Sequence, residues 1–277
     1  MPKILTEDQI AAYHRDGFLS PVTVMTEEEA ADFRARFEAA EAKWPEATQG
    51  VHRNNAHLNL TVLDELTHHP AILDAVEDLL GPDLLICGTV LFIKEAGDPG
   101  FVSWHQDVKY MGLDPYEDAV TIWLALTPST NETGCMRMSP GSHKAGLHDH
   151  EDTYGDQNIL TRGQEVGGVD ESTAVDLVLR PGQMSFHHLT VLHASAPNNG
   201  NDRRIGFVIQ SFVKPNVQQT KGTTYAQLAR GSRGDSTLPA IGRPTADMTD
   251  ADLATRDKVN AAWSDVLYHG AEKRRNF

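Results

Sequence analysis

Phe101–Tyr110 has the sequence FVSWHQDVKY, in which aromatic and β-branched residues surround a histidine and an aspartate two positions apart. Such residues are typical of β-strands, where alternate side chains point to opposite faces. A strand through the whole stretch places His105, Asp107 and Lys109 on one face and the residues between them on the other. An imidazole and a carboxylate on one rigid face lack only a distant histidine to form the 2-His-1-carboxylate set that binds ferrous iron.

The His-x-Asp spacing alone does not identify a site, because the chain contains it three times, at His14–Asp16, His105–Asp107 and His150–Asp152. The first lies at the end of a helical pattern, where residues two apart point about 200° away from each other. The third lies in a polar, histidine-rich run without strand periodicity, which predicts a solvated loop. The flanking strand formers therefore favour the middle motif.

The charge of the chain limits the partners that it can have. The 277 residues include 24 Lys and Arg against 39 Asp and Glu, which gives a formal net charge of −15. Nucleic acids and anionic membranes both require a basic surface, so the composition argues against either as a partner and favours a small-molecule substrate. An anionic ligand would need a local cation, and Lys109 and Arg204 are the candidates. The oligomeric state stays open.

Other global features predict a single cytoplasmic domain. The chain has two cysteines, Cys87 and Cys135, and no apolar leader opens it, so we expect reduced thiols and a cytoplasmic location. Its length and its 40% hydrophobic residues suit one large domain over residues 1–277, without an internal repeat.

The N-terminal part, about residues 1–82, has helical patterns. A capping box begins at Thr6 and Gly17 is placed to end that first helix, while Thr26 repeats the N-terminal signal before a second helix. Pro70 opens a third helix, which Gly81 closes.

From residue 84 to residue 214 the pattern changes to strands separated by turn clusters that contain glycine and proline. The predicted strands are Leu84–Lys94, Phe101–Tyr110, Ala119–Thr127, Cys135–Met138, Val175–Leu179, Gln183–Phe186, Leu189–Ala194 and Ile205–Val213. About eight strands without intervening helices predict a mainly β protein, a double-stranded β-helix or jelly roll with the site in its mouth. The C-terminal extension, residues 215–277, carries one more helical pattern, from about Thr249 to Tyr268. We expect the N-terminal and C-terminal helices to pack on the jelly roll.

A third metal ligand can be found on a later strand. His193 lies near the end of the predicted strand Leu189–Ala194, and Arg204 opens the next one. We expect the two to be neighbours across a hairpin, where the guanidinium could bind a carboxylate through two hydrogen bonds. His187 and His188 lack an arginine at the same spacing, so we assign them a structural role or a place beside the metal.

Taken together, these motifs give the chain a resemblance to the phytanoyl-CoA dioxygenase superfamily of Fe(II)/2-oxoglutarate oxygenases. The resemblance covers most of the chain. The matching elements are Trp104–Asp107, Gly134–His143, Arg180–Gly182, and His193–Ser195 together with Arg204.

The resemblance implies a catalytic centre and its cofactors. It places iron on His105, Asp107 and His193, and the far carboxylate of 2-oxoglutarate on Arg204 and Ser195. A tryptophan that lines the co-substrate pocket in the family corresponds to Trp123. The implied reaction consumes O₂ and 2-oxoglutarate and hydroxylates a C–H bond, so the protein positions the reactants and excludes water.

The substrate is the open question at this stage. Lys109, if it shares the face of the metal ligands, could bind an anionic group, assisted by Asn54, Asn55, Asn59 and Tyr110. Pairing of Lys109 with a core carboxylate, or extension of its side chain to the rim, explains it equally well.

The chain is similar to bacterial hydroxylases of small zwitterions, including those of 2-aminoethylphosphonate and its N-trimethylated relative. Two alternatives remain, a hydroxylase of a larger metabolite or acyl thioester, and a jelly-roll metal-binding module without turnover.

Overall fold

The computed structural model describes residues 2–274. The helices within this range are α1 (Glu7–Asp16), α2 (Glu27–Lys43), α3 (Thr61–Thr67), α4 (Pro70–Leu80), α5 (Val108–Met111) and α6 (Asp250–Leu267). None of these helices combines the length and apolar character that a membrane span requires.

In chain order the strands form two sets, one before and one after residue 160. The first set is β1 (Phe18–Thr23), β2 (Leu84–Ile86), β3 (Thr89–Lys94), β4 (Val102–His105), β5 (Leu113–Asp114), β6 (Ala119–Ala125), β7 (Met136–Met138) and β8 (Glu151–Asp152). The second is β9 (Gln164–Glu165), β10 (Val175–Leu177), β11 (Gln183–His187), β12 (His193–Ser195), β13 (Arg204–Val213), β14 (Gln218–Gln219), β15 (Ala226–Arg230) and β16 (Ala240–Ile241).

Two sheets form the body of the molecule. The large sheet has the order β1-β11-β6-β13-β2-β15-β16, with β3 also paired to β13, and the small sheet has the order β10-β7-β12-β4. Their inner faces pack together, since Trp123 and Val208 of the large sheet share one apolar cluster with Met136, Met138 and Leu177 of the small sheet. The jelly-roll prediction is confirmed. The space between the sheets is where a ligand can enter.

Helices cover the outer face of the large sheet. Phe37 of α2, Leu66 of α3 and Ile72 of α4 are fully buried in a cluster that also contains Phe186 and Phe207 from the strands. Burial of a large apolar side chain contributes about 1.5–3 kcal/mol to folding, so this layer fixes the sheet from behind.

The predicted helix boundaries are confirmed where local capping decides them. The Thr6 side chain accepts the N–H of Gln9 in a complete capping box, and Gly17 ends α1 with φ of 84°. Thr26 caps α2 in the same way, and Pro70 begins α4. The sequence patterns missed β1, which lies inside the predicted helical part and pairs with β11 at the edge of the large sheet.

Two other predicted strands have different bounds. The predicted strand Leu84–Lys94 is divided at Gly88, where a Cβ atom would lie 3.0 Å from the Asn55 side chain, so that segment forms β2 and β3. The predicted strand Leu189–Ala194 begins only at His193, because a turn closed by the N–H of Val191 and the carbonyl of His188 occupies its first half.

The prediction that Phe101–Tyr110 is one strand is wrong, and the error affects the site. Strand β4 ends at His105, and Asp107 has the helical backbone angles φ −59° and ψ −44° at the start of α5. The Gln106 side chain holds this turn, since its Nε2 donates to the carbonyl oxygens of Gly146 (2.8 Å) and Thr190 (2.6 Å). Side-chain alternation therefore stops at His105.

The C-terminal extension completes the body rather than standing apart from it. Strand β15 pairs with β2 in the large sheet, and Trp263 of α6 is buried in a cluster with Val108 and Met111 of α5. The last helix thus lies over the turn that carries Asp107.

Candidate active site

Three potential metal ligands converge where β4 and β12 lie side by side. His105 and His193 are paired residues on these neighbouring strands of the small sheet, and Asp107 follows His105 at the start of α5. Oδ1 of Asp107 lies 3.6 Å from Nε2 of His105 and 3.8 Å from Nε2 of His193. One ligand atom from each residue fits within 4.8 Å of the others, and all three side chains are buried.

Both imidazoles are oriented by their second nitrogen. Nδ1 of His105 lies 2.9 Å from the carbonyl oxygen of Ser103, and Nδ1 of His193 lies 3.1 Å from that of Val191. A carbonyl only accepts hydrogen bonds, so Nδ1 carries the proton and Nε2 keeps a lone pair toward the common centre. Burial lowers the pKa of His193 well below its usual value, which keeps this ring neutral.

The far oxygen of Asp107 is held by two other side chains. Thr121 Oγ1 donates to Oδ2 of Asp107 at 3.1 Å, and Nε2 of His187 lies 3.3 Å from the same atom. Burial alone would raise the pKa of Asp107, but its interactions with the imidazoles of His105 and His187 lower that pKa well below its usual value. The carboxylate therefore stays ionised and presents Oδ1 to the two histidines.

This donor set fits Fe(II). Two neutral imidazoles and one carboxylate on one side of a common point are the ligands of non-haem Fe(II) oxygenases, which leave the other side open for co-substrate and O₂. His187 contacts the carboxylate from behind, as expected for a residue beside the metal.

The two other His-x-Asp motifs are engaged elsewhere. Nε2 of His150 accepts the backbone N–H of Gln106 at 3.0 Å, and its Nδ1 lies 2.9 Å from the carbonyl oxygen of His148. Asp16 is paired with Arg15 on the surface. Both nitrogens of His150 are thus used in holding the turn after β4.

A cavity of about 640 Å³ opens from the three ligands, and its inner end is basic. Arg204, Ser195 and Trp123 all line it, and the guanidinium of Arg204 lies 5.2 Å from the Trp123 ring. Arg204 is only 1% exposed and donates to the carbonyl of Gly134, while its Nε has no hydrogen-bond partner among the described residues. Burial lowers its pKa to about 10, so it remains charged. An unsatisfied buried guanidinium fits the far carboxylate of 2-oxoglutarate.

Two glycines make this end of the cavity possible. Gly134 has φ of +72°, and a Cβ atom there would lie 2.1 Å from the carbonyl oxygen of Ala196. A Cβ atom on Gly206 would lie 2.1 Å from the Trp123 ring. Larger residues would displace the carbonyl that Arg204 contacts or the ring beside it.

The expectation that His193 and Arg204 are hairpin neighbours is wrong. His193 lies on β12 of the small sheet, whereas Arg204 begins β13 of the large sheet. The segment between them crosses from one sheet to the other, and both residues line the cavity.

The residues predicted to bind substrate divide into two groups. Asn54 and Tyr110 line the cavity, and the buried Tyr110 hydroxyl has no hydrogen-bond partner among the described residues. Asn55 instead donates to Asn260 (2.8 Å), and its side-chain oxygen accepts the N–H of Thr89.

Asn59 is also outside the cavity lining. It is fully buried, and its backbone carbonyl accepts the N–H of Met248 at 2.9 Å. Asn55 and Asn59 therefore hold the polar segment to the C-terminal extension.

Lys109 does not line the cavity either. Lys109 lies on the short helix α5, and not on a continuous strand that would place it beside the metal ligands. Its backbone carbonyl accepts a hydrogen bond from Nζ of Lys221, so a second ammonium stands at this surface. Strand alternation therefore no longer supports a role for Lys109 in substrate binding.

The sequence did not identify several residues of the cavity wall, because their apolar patterns are the same as those of residues in the hydrophobic core. The apolar wall of the cavity includes Val102, Met136 and Val208, whose strand patterns indicate burial but not which cavity they face. Trp263 and Ala261 of α6 complete the wall from the far end of the chain.

The sequence and the fold were compared with known proteins. Residues 13–206 match the model of the family described as phytanoyl-CoA dioxygenase (PhyH). A probable alpha-ketoglutarate-dependent hypophosphite dioxygenase from Stutzerimonas stutzeri is 28% identical over 59% of this chain and 58% of its own length. The 1-deoxypentalenic acid 11-beta-hydroxylase from Streptomyces arenae is 31% identical over 49% of this chain and 50% of its own length. The chain thus spans 58% of the length of the first curated relative and 50% of the second.

Among solved structures, the non-heme monooxygenase ThoJ is similar over nearly the whole chain. Its apo form is 35% identical, with a TM-score of 0.85 over 96% of this chain and 100% of that one. Its nickel complex gives a TM-score of 0.78 over 94% of this chain and 98% of that one.

Proposed function

Because the chain belongs to the phytanoyl-CoA dioxygenase family, we propose that it is an Fe(II)- and 2-oxoglutarate-dependent dioxygenase that hydroxylates a C–H bond of an organic small molecule. One observation carries the proposal, namely that the three ligands His105, Asp107 and His193 share a cavity with the unsatisfied guanidinium of Arg204. A metal site and a carboxylate site in one pocket suit a chelating dicarboxylate.

Each residue has a role that follows from its contacts. His105, Asp107 and His193 would hold the iron, with Thr121 and His187 fixing the carboxylate from behind. Iron and 2-oxoglutarate, when bound, supply the oxidation: O₂ gives one oxygen atom to succinate and one to the substrate C–H bond, and CO₂ is released.

The co-substrate end of the cavity would bind 2-oxoglutarate through opposite charges. Arg204 would pair with the far carboxylate of 2-oxoglutarate, and Ser195 and Trp123 would line its channel. The buried walls exclude water, which strengthens this pair and protects the reacting centre. No acid or base is needed to break a C–H bond, so positioning is the main contribution of the protein.

The cavity favours a substrate with an apolar body. Among the described residues that line it, the Asp, Glu, Lys and Arg side chains are Arg53, Asp107, Asp156 and Arg204. Asp107 and Arg204 have roles already, and the guanidinium of Arg53 donates to the carbonyl oxygens of Thr48 and Ile93. Most of the remaining wall is apolar, and a volume of about 640 Å³ suits a drug-sized ligand together with the co-substrate.

We therefore propose an organic molecule larger than 2-aminoethylphosphonate, with at least one polar group for the free hydroxyl of Tyr110. The pentalenic acid hydroxylase supports this class, because its substrate is an organic acid. The hypophosphite relative keeps a small phosphorus anion as the second candidate, with Arg53 as the cavity cation that is not assigned to 2-oxoglutarate.

A metal-binding module without turnover is the third candidate. The unsatisfied Nε of Arg204 argues against it, because a purely structural metal site needs no buried cation in the same cavity. Activity separates the candidates directly.

The test measures succinate formed by the Fe(II)-loaded protein with 2-oxoglutarate in air, against two panels of compounds. One panel holds hypophosphite, 2-aminoethylphosphonate and its N-trimethyl derivative, and the other holds apolar organic acids, alcohols and amides of 10 to 20 heavy atoms. We expect stimulation by members of the second panel and hydroxylated product in mass spectra. Stimulation by the phosphorus compounds alone would overturn the substrate class, and 2-oxoglutarate binding without succinate under any condition would favour the inert module.

A further inference from the structure

Lys94 ends β3 directly beside the proposed co-substrate site. It pairs in register with Arg204 of β13, and its side chain is completely buried at 0% exposure. Its Nζ donates to Oγ of Ser195 at 2.8 Å and to the carbonyl oxygen of Ala196. Both acceptors are uncharged, so these contacts use two of the three N–H donors of the Lys94 ammonium and leave its charge without a counterion.

A buried lysine next to a buried arginine is an unfavourable arrangement unless an anion completes it. Burial first, and then the neighbouring charge of Arg204, lower the pKa of Lys94 to about 7. Charged groups removed from water are costly unless they are paired. Two adjacent buried cationic side chains, one of which lines the cavity, therefore indicate a binding site for a carboxylate.

Lys94 itself does not line the cavity, whereas Ser195 does. An ammonium group can only donate hydrogen bonds, so Oγ of Ser195 must be the acceptor in their contact. The hydroxyl proton of Ser195 is then directed away from Lys94. The cavity, on which Ser195 borders, is where a bound carboxylate would accept that proton.

We propose that Lys94 is a positioning residue for 2-oxoglutarate, acting through Ser195 and adding a second buried positive charge behind Arg204. The inference rests on the proposed function, because it assumes that 2-oxoglutarate binds at Arg204. In this role Lys94 orients the hydroxyl of Ser195 and neutralises part of the negative charge of 2-oxoglutarate.

A consequence is that 2-oxoglutarate binding takes up protons. The titratable groups that face the Lys94 ammonium are Arg204, which lowers its pKa, and Asp98 and Cys135, which raise it. An arriving carboxylate favours the protonated form, so the pKa rises in the complex. Below about pH 7 Lys94 is already charged and the affinity is independent of this group. Above it the affinity falls as pH rises, until the pKa of the complex is passed.

The experiment is calorimetric titration of 2-oxoglutarate into the Mn(II)-loaded protein at pH 7.5, in buffers of different ionisation enthalpy. We expect the parent to take up a substantial fraction of one proton. Lys94→Met keeps the length of the side chain without its charge, and we expect it to raise the Kd for 2-oxoglutarate at least tenfold and to abolish the proton uptake. The Kd for Mn(II) alone should change less than twofold.

Control variants separate this role from stability. Lys214→Met removes a lysine that pairs with Asp118 at the surface (2.7 Å) and should leave both quantities at parent values. Ser195→Ala should weaken 2-oxoglutarate while Mn(II) still binds.

The outcomes are distinct. Parent-like 2-oxoglutarate affinity and proton uptake in Lys94→Met would overturn the inference, whatever its melting temperature. If Lys94→Met fails to fold, the parent protein alone tests the inference. A parent that takes up no protons when it binds 2-oxoglutarate between pH 7 and 9 would overturn the inference as well. A parent that binds Mn(II) but no 2-oxoglutarate would refute the proposed function instead.

Discussion

Oγ1 of Thr121, on the large sheet, donates a hydrogen bond of 3.1 Å to Oδ2 of Asp107, whose Oδ1 faces the two histidines. The bond crosses from one sheet to the turn that carries the proposed iron ligand. It fixes which carboxylate oxygen is available to a metal. The site is therefore built from both sheets although its three ligands lie on one side.

Thr121→Val should weaken metal binding without disrupting the fold. Valine has the same shape but cannot donate, and loss of such an outer hydrogen bond costs roughly 10- to 100-fold in metal affinity. Thr255→Val removes a hydroxyl from α6 that donates to its own helix at Ala251 and serves as the matched control. Titration with Fe(II) under argon measures the metal affinity of both variants. Equal Fe(II) affinities in the two variants would show that the carboxylate needs no such support.

Arg204→Met should raise the Kd for 2-oxoglutarate by roughly 30-fold or more, since loss of a desolvated charge-assisted pair costs about 2–5 kcal/mol. Arg203→Met is the control, because the neighbouring arginine is paired with Glu41 and Glu95 away from the cavity. Calorimetry on the Mn(II)-loaded proteins compares them. A larger loss of 2-oxoglutarate affinity in Arg203→Met than in Arg204→Met would show that the carboxylate binds at Arg203 instead.

Motifs whose chemistry is local were predictable from the sequence. The capping box at Thr6 and the glycine that ends α1 depend on a few neighbouring residues and are confirmed. The combination of His105, Asp107, His193 and Arg204 led to the family, and the structure brings these residues to one cavity.

Features set by distant contacts were not predictable. The strand through His105 was expected to continue to Lys109, but the Gln106 side chain bonds to Gly146 and Thr190, 40 and 84 residues away, and these bonds turn the chain. The contact of Lys94 could not be predicted for the same reason. Nothing near it in sequence indicates that its partner, Ser195, lies 101 residues further on.

Lys109→Ala should leave substrate and co-substrate binding unchanged, contrary to the sequence expectation. The side chain is on α5, outside the cavity lining, and Nζ of Lys221 already occupies the backbone carbonyl at this position. Succinate formation with the best stimulating compound gives the apparent KM. A rise of about tenfold, which corresponds to about 1.4 kcal/mol, would restore Lys109 as a substrate ligand.

Ala261→Trp should obstruct the substrate part of the cavity. Ala261 lies on α6, is exposed at its outer side and lines the cavity, so a large side chain there can enter the opening without disturbing the core. We expect the substrate KM to rise roughly tenfold or more, a change of about 1.4 kcal/mol, while the 2-oxoglutarate requirement stays at the parent value.

Ala254→Trp provides the comparison, since it places the same side chain on an exposed position of α6 outside the cavity lining. Equal effects of the two tryptophans on substrate KM would mean that the substrate does not enter beside α6.

The central claim, that one cavity binds iron through His105, Asp107 and His193 together with 2-oxoglutarate, is tested most directly by anaerobic absorption spectroscopy. Fe(II) and 2-oxoglutarate are added in turn to the metal-free parent, to His193→Ala and to His148→Ala, a histidine outside the ligand set. The account predicts a visible metal-to-ligand charge-transfer band that requires both additions, saturates at one equivalent, persists in His148→Ala and is lost in His193→Ala. A parent that binds both components without this band, or a His193→Ala variant with the parent band at parent concentrations, would contradict it.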